Sequence, residues 1–305
     1  TYDDDVYPYE SADEFLKDLE LIHDSLLANR GRHGGLFGTR RLIKRVETFG
    51  FHFLTLDIRQ NALINRRVVG HFLDEADWLE KTPEERTKRL QEALERNESP
   101  SVEADNQARR TLGIFGAIAF CRRRYGKRAI GPYIISMAHG VDDVLSVLLL
   151  ARWADLDKKD GTVPLDIAPY FETIEDLANC SETMNLLLQD EMYRRHVERR
   201  HDHQIIMVSY SDSNRDVGLA SARWALQQAQ SDLVMTMDRA GVGYTLFHGR
   251  GGTISRGGGK THAAVLSSPP GTVRGRLRST EQGELVNAKY GVRGVALRTL
   301  EQITS

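Results

Sequence analysis

Cysteine is scarce: Cys121 and Cys180 are the only two in 305 residues, and neither belongs to a CxxC. That pattern excludes a zinc cage or a disulfide framework and makes a reducing compartment, the cytoplasm, the expected setting. Long apolar runs are missing too. The most apolar stretch, 144–153, is about half of the roughly 20 residues that a membrane span needs. The first ten residues are acidic and lack the basic-then-apolar plan of a signal peptide. Net charge is only −2, so there is no bulk positive field to gather nucleic acid. Neither a membrane nor a nucleic acid is expected as a partner. There is no internal repeat and no low-complexity tract. What remains is ordinary: 40% hydrophobic and 28% charged residues suit a soluble globular chain, long enough for one large domain or two smaller ones.

The charge is unevenly placed. Between residues 250 and 298 stand seven arginines and two lysines, against Glu281 and Glu284 alone. This segment suits an anionic ligand, large or small. Tyr290 is its one aromatic, so stacking on RNA bases is a weak option.

Hydrophobic periodicity predicts the elements. Ser11-Ala-Asp-Glu14 reads as a capping box opening a helix over 12–29. A loop and a helix over 39–48 follow, then an alternating strand over 51–56. Thr82-Pro-Glu-Glu85 is a second capping box, with proline at the first helical position of a helix reaching about 97. A polar loop over 98–106 and a helix over 107–125 complete this part. Beyond it the pattern alternates. Strands at 133–137, 165–168, 204–209 and 244–247 are each followed by helices, at 142–155, 173–188 with 189–200, 215–240 and 260–268. Such alternation implies a parallel sheet with right-handed crossovers. The fold class expected is α/β, predominantly helical: a partial β/α barrel of five βα units. A helical N-terminal segment would cover 1–48 and the barrel segment 49–305, with a helical insertion at about 62–130.

In a β/α barrel, chemistry gathers where strands end. Asp57-Ile-Arg59-Gln60 follows the first predicted strand, Ala138-His139 the second, and Glu172 the third. The fourth is followed by Asp212, Arg215 and Asp216, and the fifth by His248-Gly249-Arg250-Gly251-Gly252 and then Arg256. Glu172 and Asp212 end consecutive units, and one or two carboxylates plus water and substrate are what Mg²⁺ takes. Arginines pair with phosphate or carboxylate. The glycine-rich loop, with a helix behind it, offers backbone N–H groups to an anion. Together these features point to a phosphorylated substrate.

Each feature has a plainer reading. Asp57 and Asp216 suit helix caps, Arg59 suits a surface ion pair, and His139 and His248 suit structural roles. Ser211 and Ser213 suit caps or turns, since no base is placed beside them. The glycine loop fails the P-loop pattern, because Ile254 stands where the first glycine of GxxxxGK[ST] would be.

Residues 210–218, YSDSNRDVG, resemble the YSDSxKDxG signature of phosphoenolpyruvate carboxylases, and residues 247–258, FHGRGGTISRGG, resemble their FHGRGGxxGRGG signature. DIRQ at 57–60, ISMA at 135–138, APYFET at 168–173, SSPPG at 267–271 and EQGE at 281–284 also match, in order. The resemblance runs from about residue 45 onward, on a chain about a third as long as a usual member. It implies a mostly helical protein around a β/α barrel, assembled as a homo-oligomer, a tetramer at full length. It also implies condensation of phosphoenolpyruvate with bicarbonate to oxaloacetate and phosphate, using Mg²⁺ or Mn²⁺. By similarity, Glu172 and Asp212 are the metal ligands. Arg59 and Arg250, with Gly251 and Gly252, hold the substrate. Arg256, Arg215 and His248 serve the chemistry.

The sequence departs from the family pattern at Arg215 (usually Lys), Ser255 (usually Gly), Lys260 (usually Pro), Asn61-Ala62 and Asp142 (usually Ser). The family's catalytic histidine lies N-terminal of the matched region, so this chain is expected to be inactive alone. Three readings stay open: part of an active carboxylase, a degenerate homologue that binds Mg²⁺ and a phosphorylated ligand or docks to a subunit, and a polyanion binder.

Overall fold

The computed structural model describes residues 8–157, 161–209, 211–249, 261–281 and 283–304. In chain order the elements are α1 (Ala12–Ala28), α2 (Leu36–Phe49), β1 (Leu56–Asn61), α3 (Ala62–Phe72), α4 (Pro83–Glu95), α5 (Asn106–Tyr125), β2 (Ile130–Ser136), α6 (Val141–Trp153), β3 (Ile167–Phe171) and α7 (Ile174–Gln189). They continue as α8 (Glu191–Arg199), β4 (His203–Ser209), α9 (Ser211–Val217), α10 (Leu219–Ala240), β5 (Gly243–Gly249), α11 (Thr261–Leu266), β6 (Arg278–Ser279), α12 (Gly283–Tyr290) and α13 (Arg293–Thr304). The chain divides into two units, Thr1–Asp57 with Gly116–Gly131, and Ile58–Phe115 with Pro132–Ser305.

In the first unit, α1 starts where Ser11 Oγ accepts from the Glu14 N–H at 3.1 Å. The Glu14 carboxylate reaches past Ser11 to accept from the Glu10 N–H at 3.0 Å, so only one arm of the expected capping box closes. Leu19 packs against Ile43 and Val46 of α2, flanked by Phe15 and Leu16. Thr55 Oγ1 donates to the Arg128 carbonyl at 2.8 Å, and Arg128 Nη1 donates to the Glu47 carbonyl at 3.0 Å, tying the unit's two segments together.

The strand expected over 51–56 is displaced: extension begins at Leu56. Phe53 holds a left-handed backbone, φ 64°, which breaks an extended run, and the Phe49 and Phe53 rings stack at 5.6 Å. Alternation of aromatic residues here marks ring packing at an exposed turn rather than a pleat. As a result the DIRQ motif lies inside β1 rather than after it.

The second unit is built on a six-stranded parallel sheet in chain order, β1 to β6, curled into part of a β/α barrel. α3, α4 and α5 are inserted between β1 and β2, and helices make each later crossover. Every residue of β3 is buried, as are six of the seven in β4, as expected of parallel strands covered on both faces. On one face of the pleat Ile134, Ala168, Tyr170, Ile205, Met207 and Phe247 form a single cluster. α6 is buried over ten residues, including Asp142, Asp143 and Ser146. α4 opens on the full capping box that its sequence announces.

Two further differences have local causes. The helix expected over 215–240 is split at Gly218, φ 81°, into α9 and α10. β6, α12 and α13 fall outside the predicted elements: β6 has only two residues, Arg278 and Ser279, too few to show a period, and α13 buries none of its residues. Among the described residues no helix is long and apolar enough to cross a membrane.

Candidate active site

Three of the predicted residues meet at the C-terminal end of the sheet. β1 supplies Arg59, the residue after β3 is Glu172, and the first turn of α9, after β4, supplies Asp212. Arg59 Nη2 donates to both Glu172 oxygens, at 2.8 and 2.9 Å. Its guanidinium carbon sits 4.7 Å from the centre of the Tyr170 ring, a cation–π contact that sets its height over the sheet. Burial pushes the Glu172 carboxyl up to about 7. The Arg59 guanidinium pulls against that rise, and the neighbouring Asp212 carboxylate adds to it. Arg215, one turn beyond Asp212, reaches Asp212 Oδ1 at 3.7 Å and is otherwise exposed.

The platform beneath is closely built. The Tyr170 hydroxyl donates to Ser209 Oγ at 2.8 Å, tying β3 to β4. Gly249, at the end of β5, lies against both: a Cβ there would fall 2.9 Å from Ser209 Cβ and 3.0 Å from the Tyr170 oxygen. Sequence reasoning places Gly249 in the anion loop and overlooks Tyr170 and Ser209. The signal was available in their spacing, since Tyr170 and Glu172 share a pleat face two residues apart. His248 pairs in register with Val208 and alternates with Phe247 and Gly249. The pleat therefore directs it to the face opposite Tyr170 and Met207. Arg250, Gly251, Gly252 and Arg256 lie outside the described residues.

Behind Glu172, the Asp176 carboxylate closes a capping box with Thr173 and opens α7. Its other oxygen meets His139 Nδ1 at 3.2 Å. His139 follows β2, so a fourth strand contributes to the arrangement.

A divalent cation fits this donor set. Two carboxylates share one site, one of them buried beneath the other's field, and a hard cation would offset both charges. Among the described residues no group of three or more His, Cys, Asp or Glu side chains gathers as a metal cage. Mg²⁺ does not require one, because it keeps several waters and takes substrate oxygens beside one or two carboxylates.

A family model described as phosphoenolpyruvate carboxylase matches residues 3–305. The chain is 47% identical over 305 residues to a phosphoenolpyruvate carboxylase of Xanthomonas euvesicatoria pv. vesicatoria (strain 85-10), covering 100% of this chain and 34% of that protein. It is 38% identical over 301 residues to that of Bradyrhizobium diazoefficiens (strain JCM 10833 / BCRC 13528 / IAM 13628 / NBRC 14792 / USDA 110), covering 96% and 32%. It is 38% identical over 312 residues to that of Mycobacterium avium (strain 104), covering 98% and 33%. The chain thus spans about a third of the length of these relatives. With its barrel segment and its family signatures in order, the chain belongs to the phosphoenolpyruvate carboxylase family.

Proposed function

We propose that this chain carries the cation- and phosphate-binding half of a phosphoenolpyruvate carboxylase site and needs further polypeptide to turn over. The observation that carries this reading is the convergence of Arg59, Glu172 and Asp212 at one end of the sheet. Glu172 and Asp212 would hold Mg²⁺ or Mn²⁺, which when bound neutralises charge on the transferring phosphoryl group. Arg59 and Arg250 would take the phosphate oxygens of phosphoenolpyruvate, with Gly251 and Gly252 beside them.

In the reaction, a bicarbonate oxygen attacks phosphorus and the enolate oxygen leaves, giving carboxyphosphate and the enolate of pyruvate. The enolate carbon then bonds to the carboxyl carbon, releasing phosphate and forming oxaloacetate. Arg256 would hold the carboxyphosphate and Arg215 would act from the rim, whereas His248, turned to the other face of β5, would support that strand from behind. A homo-oligomer, cytoplasmic and tetrameric at full length, is the assembly this reading carries.

The test uses the longer polypeptide, of the relatives' length, assayed by coupled oxaloacetate formation. Activity that falls by at least a hundredfold in Glu172→Gln and in Asp212→Asn supports the reading. A longer polypeptide that binds Mn²⁺ and phosphoenolpyruvate without forming oxaloacetate favours a degenerate binding homologue instead.

A further inference from the structure

We propose that His139 and Asp176 are positioning residues that fix Glu172 by its backbone, so that cation affinity depends on two side chains outside the ligand set. The cation half of this inference rests on the metal reading above.

Asp176 is buried, 5% exposed. Its Oδ2 accepts from the Thr173 N–H at 3.0 Å and from the Glu172 N–H at 3.1 Å. A capping box accounts for the Thr173 bond, which Thr173 Oγ1 returns by accepting from the Asp176 N–H at 3.0 Å. It does not account for the second bond, because Glu172 precedes the N-cap and its amide is not an orphan of the helix. That bond restrains the residue whose carboxylate faces Arg59 and Asp212.

His139 holds Asp176 in turn. It stands in a different strand-to-helix loop, with Nδ1 against Asp176 Oδ1 at 3.2 Å. Its backbone N–H donates to Asp143 Oδ2 at 2.9 Å. Asp143 is gripped by Arg66 of α3, through Nε at 2.6 Å and Nη2 at 2.7 Å. A series of polar contacts therefore runs from Arg66 to the Glu172 amide: hydrogen bonds join Arg66 to Asp143 and Asp143 to the His139 amide, an ion-pair contact joins the His139 ring to Asp176, and a hydrogen bond joins Asp176 to the Glu172 N–H. A helix cap alone would end at Thr173 and would not recruit a donor from another loop. The same logic governs ligand carboxylates elsewhere, whose outer partners set affinity by fixing orientation.

The deciding variants are at His139, because removing Asp176 would also strip the cap from α7. The imidazole is half-exposed beside a cavity of about 280 Å³ that includes Ala138, Phe171 and Asn179, so a larger ring fits without overpacking. His139→Phe deletes the donor, and His139→Asn keeps an N–H near the Nδ1 position. In the 305-residue chain, amide hydrogen exchange at Glu172 and Thr173 and Mn²⁺ affinity by electron paramagnetic resonance are measured together. His139→Phe should speed exchange at both amides about tenfold and weaken Mn²⁺ binding by roughly tenfold to a hundredfold, the range for lost outer partners. His139→Asn should restore both. Unchanged exchange in His139→Phe, or equal damage in both variants, overturns the proposal. If the unaltered chain binds no Mn²⁺, the metal reading fails by itself, and the exchange result alone decides the positioning role.

Discussion

A single nitrogen, Arg59 Nη2, bridges both oxygens of Glu172, so the site already holds a positive charge where a divalent cation would sit. Arginine and cation therefore compete for one carboxylate. Replacing Arg59 with Gln should tighten Mn²⁺ binding, by roughly threefold to tenfold, because like-charge repulsion and competition are both removed. The same change should weaken binding of phosphoenolpyruvate. Isothermal titration with each ligand checks the opposite signs, and weaker Mn²⁺ binding would refute the competition.

A second set of charges joins α4 to α6, with Arg66 Nε also 3.5 Å from Asp142 Oδ2. Arg86 Nε donates to Asp142 Oδ2 at 2.7 Å, and both side chains are buried. Arg86 also reaches the Lys81 carbonyl, while Asp142 Oδ1 has no hydrogen-bond partner among the described residues. Asp142→Ala leaves a buried guanidinium uncompensated and should cost about 3–5 kcal/mol in urea unfolding. The double change Arg86→Met with Asp142→Leu should recover most of that loss, since apolar replacement of a buried pair is often neutral or stabilising. A double variant as unstable as the single one would refute this account.

His196 makes stability depend on pH. Burial pulls it down to about 4, with the Arg200 charge adding to the effect and Asp166 opposing it. The folded value lies below the ordinary one near 6.5, so the unfolded chain binds the extra proton between them. The contribution is complete above about pH 6.5 and is lost as pH falls toward 4. It amounts to at most about 3 kcal/mol, from 1.36 kcal/mol per unit. His196→Phe, which keeps the stack on Tyr193 at 5.6 Å, should flatten the unfolding free energy over that window. An unchanged slope would argue against it.

Two glycines should respond oppositely to alanine. Gly249→Ala drives a methyl into Ser209 and Tyr170, and should cost about 1–3 kcal/mol as overpacking and displace the Arg59 platform. Gly113 lies in α5, where a Cβ added to it would meet nothing within 4 Å. Gly113→Ala should therefore stabilise by about 0.5–1 kcal/mol through helix propensity. Thermal unfolding of both variants reads the contrast.

Much of this was legible in the chain. Glu172 and Asp212 could be brought together because each follows a short apolar strand, and strand ends converge in a parallel sheet. Thr82 and Glu85 announced α4 by reciprocal hydrogen bonds that need only local spacing. The displaced β1 was not legible, because Phe51 and Phe53 alternate as a strand would, and only the backbone at Phe53 shows that they do not. The hold on Glu172 was hidden for a different reason. His139 and Asp176 lie 37 residues apart in number, and their pairing depends on which two loops the sheet makes adjacent. β6 was hidden because two residues carry no period at all.

Cys180 lies two turns along α7 from Thr173, is 1% exposed, and faces the Ala229 carbonyl of α10 at 3.9 Å. Burial pushes its thiol up to about 12, so no reactive thiolate forms while α7 stays seated. Alkylation at this sulfur consequently times the parting of α7 from α10, giving the chain an internal clock for loosening of the helix whose Asp176 holds the Glu172 amide.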